Sequence, residues 1–206
     1  MAKTPARIVL ASGNRGKVRE LSQMLSAFHV EVVPQSEFGI AGAEETGVTF
    51  IENALIKARH AAVLTGLPAI ADDSGIAVEG LNGAPGVYSA QYAGPGATDG
   101  SNLQKLLEDT RHLPDGQRAA NFICVLVFLA YPGDPMPIIA QGTWSGELLR
   151  APVGENGFGY DPIFYVPTYR CSSAQLPPEV KNQLSHRGQA LRSLLAQFTE
   201  RHAGQS

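Results

Sequence analysis

The sequence predicts an α/β protein built on a mixed β-sheet. Three observations carry that prediction. From Arg7 onward, apolar runs of strand length alternate with segments of helical periodicity. The longest apolar run, Phe122 to Ala130, is returned by Pro132-Gly133-Asp134 into a second strand, so a hairpin joins the crossover units. No repeat, low-complexity tract or block of like charge interrupts residues 1–206, which are expected as one domain.

The elements follow in order. Arg7 to Ala11 reads as a short buried strand. An amphipathic helix then runs to about Phe28, with Val18, Leu21, Met24, Leu25 and Phe28 on one face. Val30 to Val33 is a second strand. Thr49 and Glu52 have capping-box spacing and open a helix to about Leu64, with Ile51, Leu55, Ala58 and Ala62 turned inward. Pro68 to Ala71 leads into a third strand, and a helix follows near Asn102 to Arg111. The hairpin comes next, its return strand spanning Ile138 to Leu149. The last helix begins at Ser185 and buries Leu191, Leu194, Leu195 and Phe198.

Composition removes several classes of function. Sixteen Lys and Arg against nineteen Asp and Glu give a net charge of −3, with 44% apolar and 17% charged residues. That is too apolar for a disordered chain and lacks the basic excess of a nucleic-acid binder. Phe122 to Ala130 is well short of the roughly 20 residues a spanning helix needs. The N-terminus offers Lys3 and Arg7 but only Ile8 to Ala11 before polar residues return, which is no signal peptide. Cys124 and Cys171 fit neither a disulfide framework nor a CxxC motif, so free thiols in the cytoplasm are expected. The 22 glycines and 14 prolines exceed an average share of about 12% and gather between the patterned elements.

Four segments carry chemistry. Ser12-Gly13-Asn14-Arg15-Gly16-Lys17 links the first strand to the first helix. Small residues there let backbone amides approach an anion, to which Lys17 adds a full charge. It is not a Walker A loop, and a plain turn capped by Asn14 with a solvated Lys17 is the alternative. A cation in a first helical turn opposes the helix dipole, so Lys17 wants a partner. Glu44-Glu45 precede the capped helix, and Asp72-Asp73 end the third strand. Adjacent acids repel unless a cation neutralises them, and oxygen ligands without His or Cys select Mg²⁺. Glu44-Glu45 alone also read as a solvated loop face. Asn53 and Lys57, one turn apart on the capped helix, either meet a phosphate or are ordinary surface residues.

Gly75 is read as releasing the chain after the acidic pair. Gly157-Phe158-Gly159-Tyr160-Asp161-Pro162 sets two aromatics among glycines, suited either to stacking on a flat base or to core packing. Ser185-His186-Arg187 again puts cations at the positive end of a helix, which calls for an acceptor or anion facing them. His29, His60, His112 and His202 read as surface residues.

These pieces, in this order, resemble the inosine triphosphate pyrophosphatase family. The match runs through LASGNRGKVREL, ETGVTFIENALIKARHA, AIADDSGIAVEGLNGAPGVYSAQYAG, GFGYDPIF and SHRGQAL. The resemblance implies two lobes around a long bent mixed sheet with flanking helices, the active site in the central cleft, and a homodimer. It implies a phosphate loop at Ser12, Gly13, Asn14, Arg15, Gly16 and Lys17, a metal-binding Glu45, and the acidic pair Asp72 and Asp73. Asp73 would be the catalytic base and Ser74 a substrate contact. Phe158, Gly159, Tyr160 and Asp161, then Lys181, His186 and Arg187, would bind the base. One departure is Gln91, where the family pattern leads us to expect Arg.

The chemistry so implied is Mg²⁺-dependent hydrolysis of ITP, dITP and XTP to the monophosphate and pyrophosphate, with one or more Mg²⁺ per site held by Glu45, Asp73 and Asp72. Asn53 and Lys57 would join the loop in holding phosphates. No nucleic-acid or membrane partner is expected. Three alternatives stand beside it. A serine hydrolase using Ser74 or Ser185 with His186 lacks a G-x-S-x-G elbow. A catalytically silent nucleotide binder would have no use for both Asp72 and Asp73. A Maf-like nucleotide pyrophosphatase of other base specificity shares the chemistry.

Overall fold

A computed structural model describes residues 7–26 and 30–203, with side chains to 201. Phe28 and His29, and the side chain of His202, lie outside the described residues. The expected alternation is present at the start: β1 (Arg7–Ala11), α1 (Arg15–Leu25) and β2 (Glu31–Pro34). There follow α2 (Phe50–Thr65), β3 (Ala69–Val78), α3 (Asp99–Asp109), β4 (Ala119–Leu129) and β5 (Ile138–Leu148). The chain ends with β6 (Phe164–Val166), β7 (Cys171–Ser172), α4 (Pro178–Leu184) and α5 (His186–Ala203). Seven strands form one sheet in the order β2-β1-β3-β4-β5-β6-β7. β1 is parallel to both β2 and β3, whereas β6 is antiparallel to β5 and β7, so the sheet is mixed.

The chain divides into two compact units. The first comprises residues up to 73, 124–142 and from 187 onward. Its core has two parts. In one, Ile8, Leu10, Leu21, Leu25, Ile70, Leu126 and Phe128 meet Leu191 and Leu194 of α5. In the other, Val9, Ala11, Val125 and Val127 meet an alanine face of α2. The second unit comprises residues 74–123 and 143–186. Its core joins aliphatic side chains such as Ile76, Leu106 and Ile163 to an aromatic cluster in which Phe122, Trp144 and Phe164 are in ring contact.

Several boundaries differ from the sequence reading, each for a physical reason. β3 does not stop at Ala71 but runs to Val78, so Asp72 and Asp73 lie inside a strand. That strand is buried along nearly its whole length, as a central strand covered on both faces is. Two acids and a glycine there imitate a strand end. Gly75 serves close packing rather than release: a Cβ would sit 2.4 Å from the Gly86 carbonyl oxygen and from Ser89 Oγ.

The inward face of α2 is Ala54, Ala58, Ala61 and Ala62, while Ile51 and Leu55 are only half-buried at its edge. Small side chains let the helix lie close to the sheet, a geometry that apolar size alone mispredicts. β5 ends at Leu148 rather than Leu149, and the last helix opens at His186, because Ser185 caps the unforeseen α4.

Candidate active site

The sheet order decides where the first group of residues gathers. β1 and β3 are adjacent and parallel, and the chain leaves the carboxyl end of β1 towards β2 but that of β3 towards β4, in opposite directions. Crevices that take ligands form at such reversals, outside the carboxyl ends of parallel strands. Ala11 pairs with Ala71, so the residues just beyond each strand register, Ser12 to Lys17 and Asp72-Asp73, emerge side by side.

The Ser12–Lys17 loop is built by its own polar side chains. Ser12 Oγ accepts from the Asn14 amide at 3.2 Å, and Asn14 Oδ1 accepts from Gly16 and Lys17 N–H at 2.9 and 3.1 Å. Asn14 is therefore the N-cap of α1. Arg15 is exposed. Lys17 is not a solvated first-turn lysine: its Nζ lies 2.7 Å from Asp72 Oδ1. The cation that opposes the dipole is held by a buried carboxylate.

Asp72 is 1% exposed and takes a cation on each oxygen. Lys17 meets Oδ1, while Arg187 Nε donates to Oδ2 at 2.7 Å. The Cys124 thiol donates to the same Oδ2 at 3.2 Å. Burial alone would raise this carboxyl, but Arg187 and Lys17 outweigh it and hold it well below the usual carboxylate range. Burial, reinforced by Asp72, keeps the Cys124 thiol protonated well above its ordinary value, so it remains a donor. Arg187 also bonds Glu20. These acceptors answer the question posed by a cation at the start of α5.

Asp73 stands in a different environment. Lys57 Nζ lies 2.6 Å from its Oδ1 and 3.3 Å from Glu45 Oε1. Its other oxygen, Oδ2, is buried with no hydrogen-bond partner among the described residues. Burial pushes Asp73 up to about 6 against the pull of Lys57. Burial works against the Lys57 charge too, yet Asp73, Glu45 and Asp72 together raise it above its ordinary value. Lys57 and Asn53 are buried rather than surface residues, and the Asn53 carboxamide oxygen accepts from Gly47 N–H at 2.8 Å. That bond ties the Glu45 loop to α2. Glu44 is exposed.

No group of three or more His, Cys, Asp or Glu able to hold a metal occurs among the described residues. An orphaned buried oxygen on Asp73 and a partly exposed Glu45 suit Mg²⁺, which binds through one or two carboxylates and completes its shell with water and phosphate. Asp72, with a cation on each oxygen, anchors Lys17 and Arg187.

The second group lies in the second unit. Gly157 and Gly159 have φ of +80° and +61°, a left-handed backbone that glycine adopts without strain. At Gly157 a Cβ would also fall 2.1 Å from Asp161 Oδ2. Asp161 organises this turn: Oδ2 accepts from Phe158 N–H at 2.8 Å and from Lys181 Nζ at 2.6 Å, and Oδ1 accepts from Ser173 Oγ at 2.6 Å. Gly159 N–H donates to Asp99.

Phe158 is half-buried and outside the core, with Lys181 Nζ 5.2 Å from its ring centre. Tyr160, by contrast, is core, its hydroxyl donating to the Ser89 carbonyl at 2.8 Å. His186 stacks on Phe122 with ring centres 4.8 Å apart and planes within 10°. Ser74 is half-buried in β3.

Glu20, Cys124, Phe122, Ser173 and Asp99 escaped the sequence reading. Glu20 alone left a signal, standing three residues after Lys17 on the same helix. A buried thiol in an apolar strand reads as a small hydrophobe, and the other three are remote in sequence from what they support.

A mixed sheet with an acid–cation cluster where β1 gives way to its loop beside Asp72 and Asp73 of β3, together with a glycine-framed aromatic turn beside an Asp–Lys pair, defines a ligand-handling α/β protein. The chain belongs to the Ham1 family, whose profile matches residues 8–197. It is 60% identical over 194 residues to a dITP/XTP pyrophosphatase of Vibrio cholerae, covering 94% of this chain and 97% of that one. It is 58% identical over 189 residues to the Escherichia coli K12 protein of the same name, covering 92% and 96%. A HAM1 protein structure from Coxiella burnetii superposes with a TM-score of 0.85 at 52% identity, covering 94% and 98%. The Staphylococcus aureus Ham1 protein does so at 0.81 and 43%, with the same coverage.

Proposed function

We propose that this protein is a Mg²⁺-dependent pyrophosphatase of non-standard purine nucleoside triphosphates, releasing a monophosphate and pyrophosphate from ITP, dITP and XTP. The observation that carries this reading is the Asp73 carboxylate, which has one oxygen on Lys57, the other without a partner among the described residues, and Glu45 within reach of the same ammonium. The names of relatives 58 to 60% identical along nearly the whole chain supply the substrate class.

Each residue then has a task. Asp73, with one oxygen free of any partner among the described residues, takes the proton of the water that attacks the α-phosphorus. Lys17 and Lys57, with the loop from Ser12 to Gly16, neutralise charge on the phosphates and hold the leaving pyrophosphate. Glu45 and Asp73 would hold Mg²⁺, which lowers the pKa of bound water and offsets the charge of the triphosphate when bound. Asp72 fixes Lys17 and Arg187.

Phe158 stacks on the base. Lys181, His186 and Arg187 present donors, which suit the 6-oxo group of hypoxanthine and xanthine and leave the 6-amino group of adenine facing another donor. Such a mismatch rejects an analogue by about 10⁴-fold. The consequence is removal of deaminated purine nucleotides before polymerases use them.

The test is turnover of ITP, dITP, XTP, GTP, ATP and dTTP with Mg²⁺ by wild type and Asp73→Asn, with products separated. Strong preference for the first three and a loss of several orders of magnitude in the variant are expected. Comparable rates on ATP would refute the base recognition.

A further inference from the structure

Lys57 occupies one oxygen of each of the two carboxylates that a divalent cation would use, leaving Asp73 Oδ2 without a partner among the described residues. Its ammonium is 2.6 Å from Asp73 Oδ1 and 3.3 Å from Glu45 Oε1. Mg²⁺ would approach the same carboxylates to about 2.0–2.1 Å. An ammonium and a dication in contact with one carboxylate repel each other strongly in so buried a place.

One partner must yield, and the structure indicates which. The Glu45 loop is pinned: Asn53 holds the Gly47 amide at 2.8 Å, and a Cβ at Gly47 would lie 2.5 Å from Glu52 Cβ and 2.7 Å from Asn53 Oδ1. Asp73 is fixed inside β3. Lys57 instead ends a flexible four-carbon stem on α2. Turning that stem costs a rotamer change, whereas the short Asp73 side chain is held inside a buried strand and Glu45, exposed, has no need to leave.

We propose that Lys57 is an internal competitor for the divalent cation: loading the cation onto Glu45 and Asp73 turns the Lys57 ammonium out of the pair and toward the triphosphate. This rests on the metal-dependent reading above and extends it. Cation and phosphate binding then reinforce each other, because each favours the arrangement in which Lys57 has left Asp73. By linkage that reinforcement is reciprocal. The lysine also spares the protein two uncompensated neighbouring acids when no cation is present.

The test reads Lys57 directly in the wild-type protein. Acylation by a water-soluble amine reagent, quantified by mass spectrometry at Lys57, is followed through a Mg²⁺ titration. Reactivity should rise several-fold, with the midpoint at which the cation binds; Lys57 in Asp73→Asn should be reactive throughout. Binding of Mn²⁺, followed by electron paramagnetic resonance, should be at least about tenfold tighter in Lys57→Met and close to wild type in Lys57→Arg.

Lys57 reactivity that stays flat or falls while the cation binds would overturn the proposal, as would equal or weaker Mn²⁺ binding in Lys57→Met. Those failures leave the enzymatic reading standing. Absence of Mn²⁺ binding together with ITP turnover in EDTA would instead remove the metal-dependent reading, and this inference with it.

Discussion

Asp72 and Asp73 are neighbours with opposite electrostatic fates. Asp72 gathers Lys17, Arg187 and the Cys124 thiol, and is held charged far down the pH scale. Asp73 shares one lysine with Glu45 and is raised to about 6. Asp72→Asn should cost about 3–5 kcal/mol, because it removes the one carboxylate that the buried Arg187 and Lys17 share and leaves Arg187 with Glu20 alone; urea denaturation of the two proteins measures it. The pH dependence has a definite sign. A carboxyl whose folded pKa is lowered contributes fully above its unfolded value of about 3.9, and the contribution is lost as pH falls through the folded value. The stability gap between wild type and Asp72→Asn should thus be constant from pH 7 to about 5 and narrow below about 4. A gap that closes at pH 6 would contradict the assignment. At this scale the sequence was informative where charge conflicted with helix polarity. Lys17 and Arg187 each stand at the positive end of a helix, and each has a carboxylate there. It was silent on Cys124 and on which oxygen of which acid each cation takes.

α2 and β3 show what an element does for the site. Thr49 and Glu52 cap α2 reciprocally, and that start sets the turn on which Asn53 and Lys57 face inward. Thr49→Ala removes the accepting hydroxyl and should destabilise by about 1 kcal/mol; the shift in thermal midpoint reads it, with the Mn²⁺ affinity little changed. Gly75→Ala should be costlier. The added methyl would press on the Gly86 carbonyl and Ser89 Oγ at 2.4 Å, and overpacking costs about 1–3 kcal/mol or more. The capping box was readable because it is local, with two residue types at fixed spacing. The length of β3 was not, because its acids and glycine are explained by partners from α1, α2, α5 and the loop after Pro85, all remote in sequence. For the same reason the inward face of α2 was half right: Ala58 and Ala62 are buried as expected, whereas Ile51 and Leu55 lie at its edge, because closeness to the sheet rather than residue size decides what is inside.

The fold as a whole follows from alternation and from one reversal. β1-α1-β2 and the return through α2 to β3 place parallel neighbours on either side of β1, and that reversal sets the Ser12–Lys17 loop beside the acidic pair. The hairpin of β4 and β5 and the short β6 and β7 complete the mixed sheet. Class and order were legible in the sequence, whereas β6, β7 and α4 were too short to leave a period. Among the described residues no helix is long and apolar enough to cross a membrane.

Chelation tests the whole account at once: EDTA should abolish ITP turnover and Mg²⁺ restore it, leaving far-ultraviolet circular dichroism unchanged. The most direct measurement is hydrolysis of ITP in ¹⁸O-labelled water with mass analysis of both products. Attack at the α-phosphorus places the label in the monophosphate and leaves pyrophosphate unlabelled. Label in pyrophosphate, or orthophosphate as the direct product, would contradict it.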